Sequence, residues 1–209
     1  AIYYFMYLRS YLNSQEVMEL IDHIVHSDFV ESMKDGTLED GQFRYYLRQE
    51  NIYLKHYKAA GSIIGKSASD SKIRELYNDI GAEEPEFHRN MLKQFGVPEE
   101  EIKEYEINYT TYSYINHLIR WSKDSSINGM LSMFPCQWSY GYIAEAIPAP
   151  SEKFKFWFDF YRSKDYRSIT DRYLEILGGE PLNTYQEQII WFGLLYEFNY
   201  WKDCYIKIK

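Results

Sequence analysis

Cys136 and Glu197 are the two residues whose sequence surroundings could best support catalysis. Cys136 is one of two cysteines in the chain, and it follows an apolar run and lies among tyrosine and tryptophan residues. A buried thiol of this kind is either a small apolar filler of the core or a nucleophile in a pocket. Pro135 leaves two possibilities. If it begins a helix, the helix dipole would stabilise a thiolate at Cys136; if it kinks a longer helix, that stabilisation is lost.

Glu197 lies in a strongly apolar stretch, and residues 188–201 contain no other charged side chain. Burial raises the pKa of a carboxyl group, and a raised pKa suits a general acid at neutral pH. The alternative is a core glutamate that is satisfied by tyrosine hydroxyls.

Two further carboxylates stand out. Glu50 lies three residues before Tyr53 on a predicted core-facing helix ridge, where an unpaired charge would be costly, so it either serves a site or forms a salt bridge at the rim. Glu84 lies four residues before His88 and shares a helix face with it. That pair could bind a metal, act as an acid–imidazole pair, or be purely structural.

Nearly every segment has the apolar period of a helix, which predicts an all-α fold. Asn13 and Glu16 have capping-box spacing ahead of the first apolar stripe. Further helices are predicted at about residues 40–64, at about 69–95 with a kink at Pro85, and at about 184–204. Asp35-Gly36 and Gly96 are typical helix ends.

Composition limits the function. The chain has 209 residues, enough for one domain over 1–209, and a net charge of −8 without a basic cluster, which argues against nucleic-acid binding. Two distant cysteines indicate neither a zinc site nor a disulfide-stapled secreted domain, so we expect a cytoplasmic protein without a metal. The apolar residues 1–8 are too few to span a membrane and lack the features of a signal peptide.

The order and spacing of seven motifs resemble the TenA family, also called thiaminase II. The motifs are His26-Ser27-Asp28-Phe29-Val30 with Asp35-Gly36-Thr37-Leu38; Phe43 to Leu54; Glu84 with Phe87-His88; Tyr112-Ser113-Tyr114; Pro135-Cys136-Gln137-Trp138; Trp157 with Tyr161; and Tyr196-Glu197-Phe198 with Trp201. Each motif is weak alone, and together they cover most of the chain.

The resemblance implies a single-domain, heme-oxygenase-like helical bundle that assembles as a homotetramer and needs no cofactor. It also implies a hydrolase of thiamin salvage, which acts on a 4-aminopyrimidine or cleaves thiamin to give hydroxymethylpyrimidine. The family nucleophile falls on Cys136 and the family catalytic glutamate on Glu197. The resemblance places substrate contacts at Glu50, Tyr53, Tyr114, Tyr140, Tyr161 and Tyr200, with Tyr114 and Tyr200 expected to stack on the ring.

In one respect the chain departs from the family, which usually has aspartate where this chain has Glu50. The longer side chain keeps the acceptor that would hold the pyrimidine's amino group but shifts the ring or the helix. Two other functions stay open at this stage. One is a carboxylate–metal oxidase that uses Glu50, Glu84, His88 and Glu197, although none of the five histidines has a glutamate three residues before it. The other is a non-catalytic pyrimidine-binding or regulatory module.

Overall fold

The structure, a computed structural model, describes residues 6–79 and 84–206. Within these ranges the chain forms α-helices joined by short connections, with single 3-10 turns at Glu99–Glu101 and Glu104–Glu106. The α-helices are α1 (Leu8–Leu12), α2 (Gln15–Val25), α3 (Asp28–Asp35), α4 (Asp40–Ser67), α5 (Ser71–Asp79), α6 (Glu84–Gln94), α7 (Tyr109–Asp124), α8 (Ser126–Ala146), α9 (Lys155–Tyr161), α10 (Lys164–Leu177) and α11 (Thr184–Cys204). The only pairing of β type in these ranges is an antiparallel bridge between Met6 and Leu182. The prediction of an all-α fold is confirmed.

Helix α8 is the centre of the bundle. Its buried residues lie on nearly all sides, so it must be surrounded, and it packs against α4, α7, α9, α10 and α11. Its start is fixed by Ser125, whose hydroxyl accepts a hydrogen bond from the Asn128 amide at 3.0 Å. The site described below is built on this helix and its neighbours.

Helices α4, α7 and α11 complete the inner wall. The buried residues of α4 recur with the helical period, so Glu50 and Tyr53 both face the core. Side-chain caps begin the other two helices: Asn108 accepts from the Thr111 amide at 2.8 Å, and Asn183 accepts from the Gln186 amide at 2.9 Å. The starts of α7 and α11 are therefore fixed by side-chain hydrogen bonds.

Several predicted boundaries are confirmed. Helix α3 ends at Gly36 with φ of 77°, and α6 is followed by Gly96 with φ of 68°, conformations that favour glycine. The last helix, α11, covers residues 184–204 as predicted.

Other predictions need correction. The capping box at Asn13 and Glu16 is wrong, because Ser14 is the cap of α2 and the Asn13 amide instead donates to the Arg9 carbonyl at the end of α1. Helix α4 runs beyond residue 64, to Ser67. The segment predicted as one helix over residues 69–95 contains two helices, α5 and α6. The chain between them, residues 80–83 ahead of Pro85, lies outside the described residues.

Pro135 lies inside α8, nine residues after the helix begins. Of the two possibilities open from the sequence, the longer helix is the one observed, and Cys136 is not in a first turn. The helix dipole therefore provides no stabilisation of a thiolate there.

Candidate active site

The contact between α8 and α11 brings Cys136 and Glu197 together. A Cβ atom placed on Gly193 would lie 2.5 Å from Cγ of Pro135, so the two helices meet at a distance that only glycine permits. Glu197 follows Gly193 by four residues and shares its helix face, while Cys136 adjoins Pro135. The predicted carboxyl and thiol consequently face the same seam, and each affects the pKa of the other.

Glu197 is 2% exposed. Its Oε1 accepts a hydrogen bond from the Tyr114 hydroxyl at 2.7 Å, and its Oε2 has no hydrogen-bond partner among the described residues. Burial raises the pKa of this carboxyl to about 7, although the Tyr114 hydroxyl and the nearby Cys136 thiol both act to lower it. The predicted burial and raised pKa are confirmed, and the group can exist as acid or base near neutral pH.

Cys136 is 6% exposed. Burial raises the pKa of the thiol well above its usual value, the negative charges of Glu197, Glu50 and Glu84 raise it further, and the nearby Tyr53 hydroxyl lowers it. The resting thiol is therefore neutral, and its neighbours are carboxyl and hydroxyl groups as well as hydrocarbon. A nucleophilic role would require a base at the sulfur, and Glu197 is the carboxyl beside it.

Glu50, on α4, is 1% exposed. Its Oε2 accepts hydrogen bonds from the hydroxyls of Tyr140 at 2.9 Å and Tyr200 at 3.1 Å. Its Oε1 has no partner within the described ranges. Burial raises the pKa of Glu50 to about 8, the charge of Glu84 adds to the rise, and the Tyr140 hydroxyl opposes it. The alternative of a salt bridge at the rim is wrong, because this carboxyl is buried and its donors are tyrosines.

The predicted tyrosines form the wall between these groups. The ring of Tyr53 lies 4.9 Å from that of Tyr114, and the ring of Tyr161 lies 4.8 Å from that of Tyr140 in an edge-on arrangement. The Tyr53 ring also lies 6.4 Å from that of Tyr200, and the Cys136 thiol lies beside Glu197. Together with the hydrogen bonds above, these contacts join the eight predicted site residues into one buried cluster. The hydroxyls of Tyr114 and Tyr200 are engaged by carboxylates, and the stacking of their rings on a pyrimidine stays a prediction.

A scan against protein-family models matches residues 14–189 to the family described as TENA/THI-4/PQQC. The chain belongs to this family. The resemblance seen in the sequence motifs is thereby confirmed.

Comparisons with individual proteins agree with this assignment. A protein of Halalkalibacterium halodurans named "Aminopyrimidine aminohydrolase" is 26% identical over 73% of this chain and 72% of its own length. A protein of the same name from Bacillus subtilis is 31% identical over 57% of this chain and 52% of its own length. The solved structure of a TenA homologue from P. horikoshii OT3 has a TM-score of 0.81 at 24% identity, over 90% of this chain and 93% of that one. The last comparison confirms the fold.

A second layer behind the cluster was missed as part of the site. Tyr46 donates toward the Tyr140 hydroxyl at 3.5 Å and accepts from the Trp157 indole at 3.3 Å, and its ring stacks on Trp201 at 5.2 Å. Tyr46 precedes Glu50 by four residues, so helical spacing could have placed it beside the carboxyl. Its hydroxyl partners, which are distant in sequence, could not be read from that spacing.

Glu84 and His88 do not form the acid–imidazole pair that their spacing allowed. Both ring nitrogens of His88 are without partners in the described part of the chain, and burial lowers the pKa of the ring to about 4. Glu84 accepts instead from the Tyr161 hydroxyl, at 3.4 Å. Among the described residues no group of three or more His, Cys, Asp or Glu side chains is arranged to hold a metal ion, so the geometry lends no support to a carboxylate–metal oxidase.

A surface groove lies elsewhere, between α7 and α11. It has a volume of about 500 Å³, and its lining includes His117, Trp121 and Phe192 but none of the predicted site residues. The groove therefore adds nothing to the case for the buried cluster.

Proposed function

We propose that the protein is a hydrolase of 4-amino-5-substituted-methyl-2-methylpyrimidines. It removes the amine from aminomethylpyrimidine, cleaves thiamin, or both, and yields the hydroxymethylpyrimidine used in thiamin salvage. The names of the relatives from Halalkalibacterium halodurans and Bacillus subtilis support an aminopyrimidine aminohydrolase. Family membership supports the same class of enzyme.

One observation carries the proposal: a thiol and two carboxyls converge in a tyrosine-lined interior with carboxyl oxygens left free. Buried polar atoms normally have hydrogen-bond partners. Glu50 Oε1 and Glu197 Oε2 lack them among the described residues. A 4-aminopyrimidine has an amino group that donates hydrogen bonds and ring nitrogens that accept them. The amino group matches Glu50 as an acceptor, and a ring nitrogen matches Glu197 as a group that can give a proton.

Glu197 begins the reaction by moving a proton. As a carboxylate it takes the proton of the Cys136 thiol, and as the resulting acid it gives that proton to a ring nitrogen of the substrate. A carboxyl with a pKa of about 7 can do both near neutral pH. Protonation makes the ring electrophilic just as the sulfur becomes a thiolate.

The sulfur then forms a bond to the adjacent ring carbon. The adduct's electron pair breaks the bond between the 5-methylene and its substituent. The substituent leaves with the bonding pair, as ammonia from an amine that is protonated on the substrate or as neutral thiazole from the thiazolium of thiamin. Water adds to the methylene and loses a proton. The carbon–sulfur bond breaks, and the ring proton returns through Glu197 to the sulfur. The net change is substitution of the amine by hydroxyl, with one water consumed.

The remaining site residues hold the ring in this proposal. Glu50 accepts from the 4-amino group, and Tyr140 and Tyr200 fix the position of that carboxyl through their hydrogen bonds to Oε2. Tyr114 fixes Glu197 in the same way. Tyr53 and Tyr161 bound the ring, and stacking would add about 0.5–1.5 kcal/mol to binding.

The test is turnover of aminomethylpyrimidine by Cys136→Ser and Glu197→Gln. We expect kcat to fall by at least ~100-fold in each, since nucleophile and proton donor are both lost as functional groups. Glu187→Gln is the matched control, because it changes a second glutamate of α11. Near-wild-type turnover by either Cys136→Ser or Glu197→Gln would contradict the mechanism. Tight binding without turnover by the unaltered protein would favour a binding module.

The homotetramer, the single domain over residues 1–209 and the cytoplasmic location stay predictions. A search of the described helices finds none with the length and apolar character that a membrane crossing requires.

A further inference from the structure

Glu84 is a third carboxyl at the site, and the mechanism above does not use it. It is the first described residue of α6, and its Oε1 accepts from the Tyr161 hydroxyl at 3.4 Å. The Tyr161 ring packs edge-on against Tyr140, whose hydroxyl donates to Glu50. Glu84 is thus two aromatic side chains away from Glu50, on the same wall.

Within the described ranges, no basic side chain donates a hydrogen bond to any of the three carboxyls. In the described ranges, the side chains that donate to Glu50, Glu84 and Glu197 are all tyrosines. The charge of Glu84 adds to the raised pKa of both Glu50 and the Cys136 thiol, as expected of groups that lie near one another. Buried negative charge without a cation is costly, so such a site favours a ligand that carries positive charge.

Exposure separates Glu84 from the other two carboxyls. Glu50 and Glu197 are almost completely buried, whereas Glu84 is only partly buried. Glu84 therefore lies at the outer end of the cluster. With the ring held by Glu50 and Glu197, the partly exposed carboxyl of Glu84 is the one left for a substituent of the ring.

We propose that Glu84, positioned by Tyr161, is a specificity-determining residue that binds a positively charged substituent on the pyrimidine 5-methylene. The inference rests on the proposed function and specifies that the group removed by the enzyme is positively charged. An ammonium on the methylene meets the requirement, and so does a thiazolium ring. The hydroxymethyl product is neutral at that position, so it lacks the contact with Glu84. It should therefore bind more weakly than the charged substrate and dissociate more readily.

The test compares Glu84→Gln with Glu86→Gln, which changes an exposed glutamate of the same helix. The probes are the amine substrate, 4-amino-5-aminomethyl-2-methylpyrimidine, and its alcohol product used as a competitive inhibitor. We expect Glu84→Gln to raise KM for the amine at least tenfold, with a smaller change in kcat and less than a threefold change in the inhibition constant of the alcohol. Glu84→Asp, which keeps the charge, should recover part of the loss, and Glu86→Gln should match the unaltered enzyme.

The outcomes separate the two proposals. If KM for the amine and the inhibition constant of the alcohol rise together, or neither changes, Glu84 does not select charge, and this inference fails while the hydrolase stands. If the unaltered protein neither hydrolyses the amine nor binds the alcohol, the proposed function fails and the inference fails with it. Binding of the alcohol by Glu84→Gln at the same strength also shows that the variant is folded.

Discussion

Glu50 and Glu197 are buried carboxyls whose hydrogen-bond donors are tyrosine hydroxyls. A hydroxyl stabilises a carboxylate less than a guanidinium or ammonium does, so burial dominates and both pKa values rise. The folded protein therefore keeps protons on these groups at a pH where free glutamate has lost them. For Glu197 this produces a group that can both accept and return a proton.

Replacement of Tyr114 by phenylalanine should move the pH dependence of catalysis. The Tyr114 hydroxyl lowers the pKa of Glu197, so its removal raises that pKa further, and less of the carboxyl is ionised at pH 7. Loss of a hydrogen bond to a charged group is worth about 1.5–3 kcal/mol, or roughly one to two pKa units. We expect kcat/KM at pH 7 to fall about tenfold or more and to recover at higher pH.

The measurement is the pH profile of kcat/KM between pH 5.5 and 9 for Tyr114→Phe, with Tyr112→Phe as control. Tyr112 lies on the same helix and is 56% exposed. The acidic limb should shift to higher pH in the first variant only. An unshifted limb would mean that Glu197 is not the group that this limb reports.

Residue types allowed much of the site to be predicted, because a lone carboxyl in an apolar helix is buried together with its apolar neighbours. The burial and raised pKa of Glu197 follow from that pattern and are confirmed. The state of Cys136 did not follow, since Pro135 is compatible with both a helix start and a helix interior. The hydroxyls that meet Glu50 come from α8 and α11, and no local pattern indicates contacts across such distances along the chain.

At the scale of helices, the seam between α8 and α11 depends on Gly193. Alanine is preferred to glycine inside a helix by about 0.5–1 kcal/mol, which alone would stabilise α11. The added carbon would however lie 2.5 Å from Pro135 Cγ, and overpacking of this kind costs about 1–3 kcal/mol. The clash involves a proline ring in the helix backbone, which cannot move aside as a flexible side chain would.

We therefore expect Gly193→Ala to lower the free energy of unfolding by about 1–2 kcal/mol and to reduce activity by displacing Cys136 from Glu197. Urea unfolding measures the first effect. Gly141→Ala is the matched control in α8, because its new carbon would have ordinary contacts at 3.6 Å or more, and it should be neutral or slightly stabilising. Equal stability of the two variants would show that the seam can open without cost.

Helix identity was largely predictable and helix boundaries were less so. In long segments with a helical apolar period, such as α11, only a helix can bury the apolar residues together. The ends of these segments carry recognisable caps. Residues 13–16 contain several possible caps, Asn13 and Ser14 among them, and the choice between them depends on the short helix α1 that precedes. The spacing of the capping residues does not reveal that α1 precedes them.

For the molecule as a whole, the formal net charge of −8 treats every carboxyl as ionised. Glu50, with a pKa of about 8, and Glu84 and Glu197, each at about 7, are partly or mostly protonated at pH 7. The folded protein is accordingly less negative than its sequence states. The difference is a link between folding and pH.

The sign of that link is opposite to the usual one for carboxyls. Below about pH 4.5 the group is protonated in the folded and the unfolded chain alike, and between about 4.5 and 8 only the folded protein holds the proton of Glu50. Raising the pH through this window therefore destabilises the fold, by up to about 1.4 kcal/mol per pH unit for one proton. We expect the free energy of unfolding to fall between pH 5 and 8.

Glu50→Gln should make this decline shallower by about 1 kcal/mol per pH unit between pH 5 and 7, because glutamine mimics the protonated acid and does not titrate. Urea titrations at several pH values measure the slope. Glu75→Gln, at an exposed position of α5, should leave it unchanged. Parallel profiles for the unaltered protein and Glu50→Gln would show that Glu50 does not retain its proton on folding.

The neutral, buried state of the Cys136 thiol bears on how the protein withstands oxidants. Peroxides and disulfides react with thiolates, and their reaction rates follow the ionised fraction and the accessibility of the sulfur. Cys136 is only 6% exposed, and the pKa of its thiol is strongly raised, so it offers neither a thiolate nor ready access. In the proposed mechanism the thiolate is formed only when a pyrimidine accepts the proton. The nucleophile is therefore unreactive toward oxidants in the free enzyme and becomes reactive only when the substrate is bound.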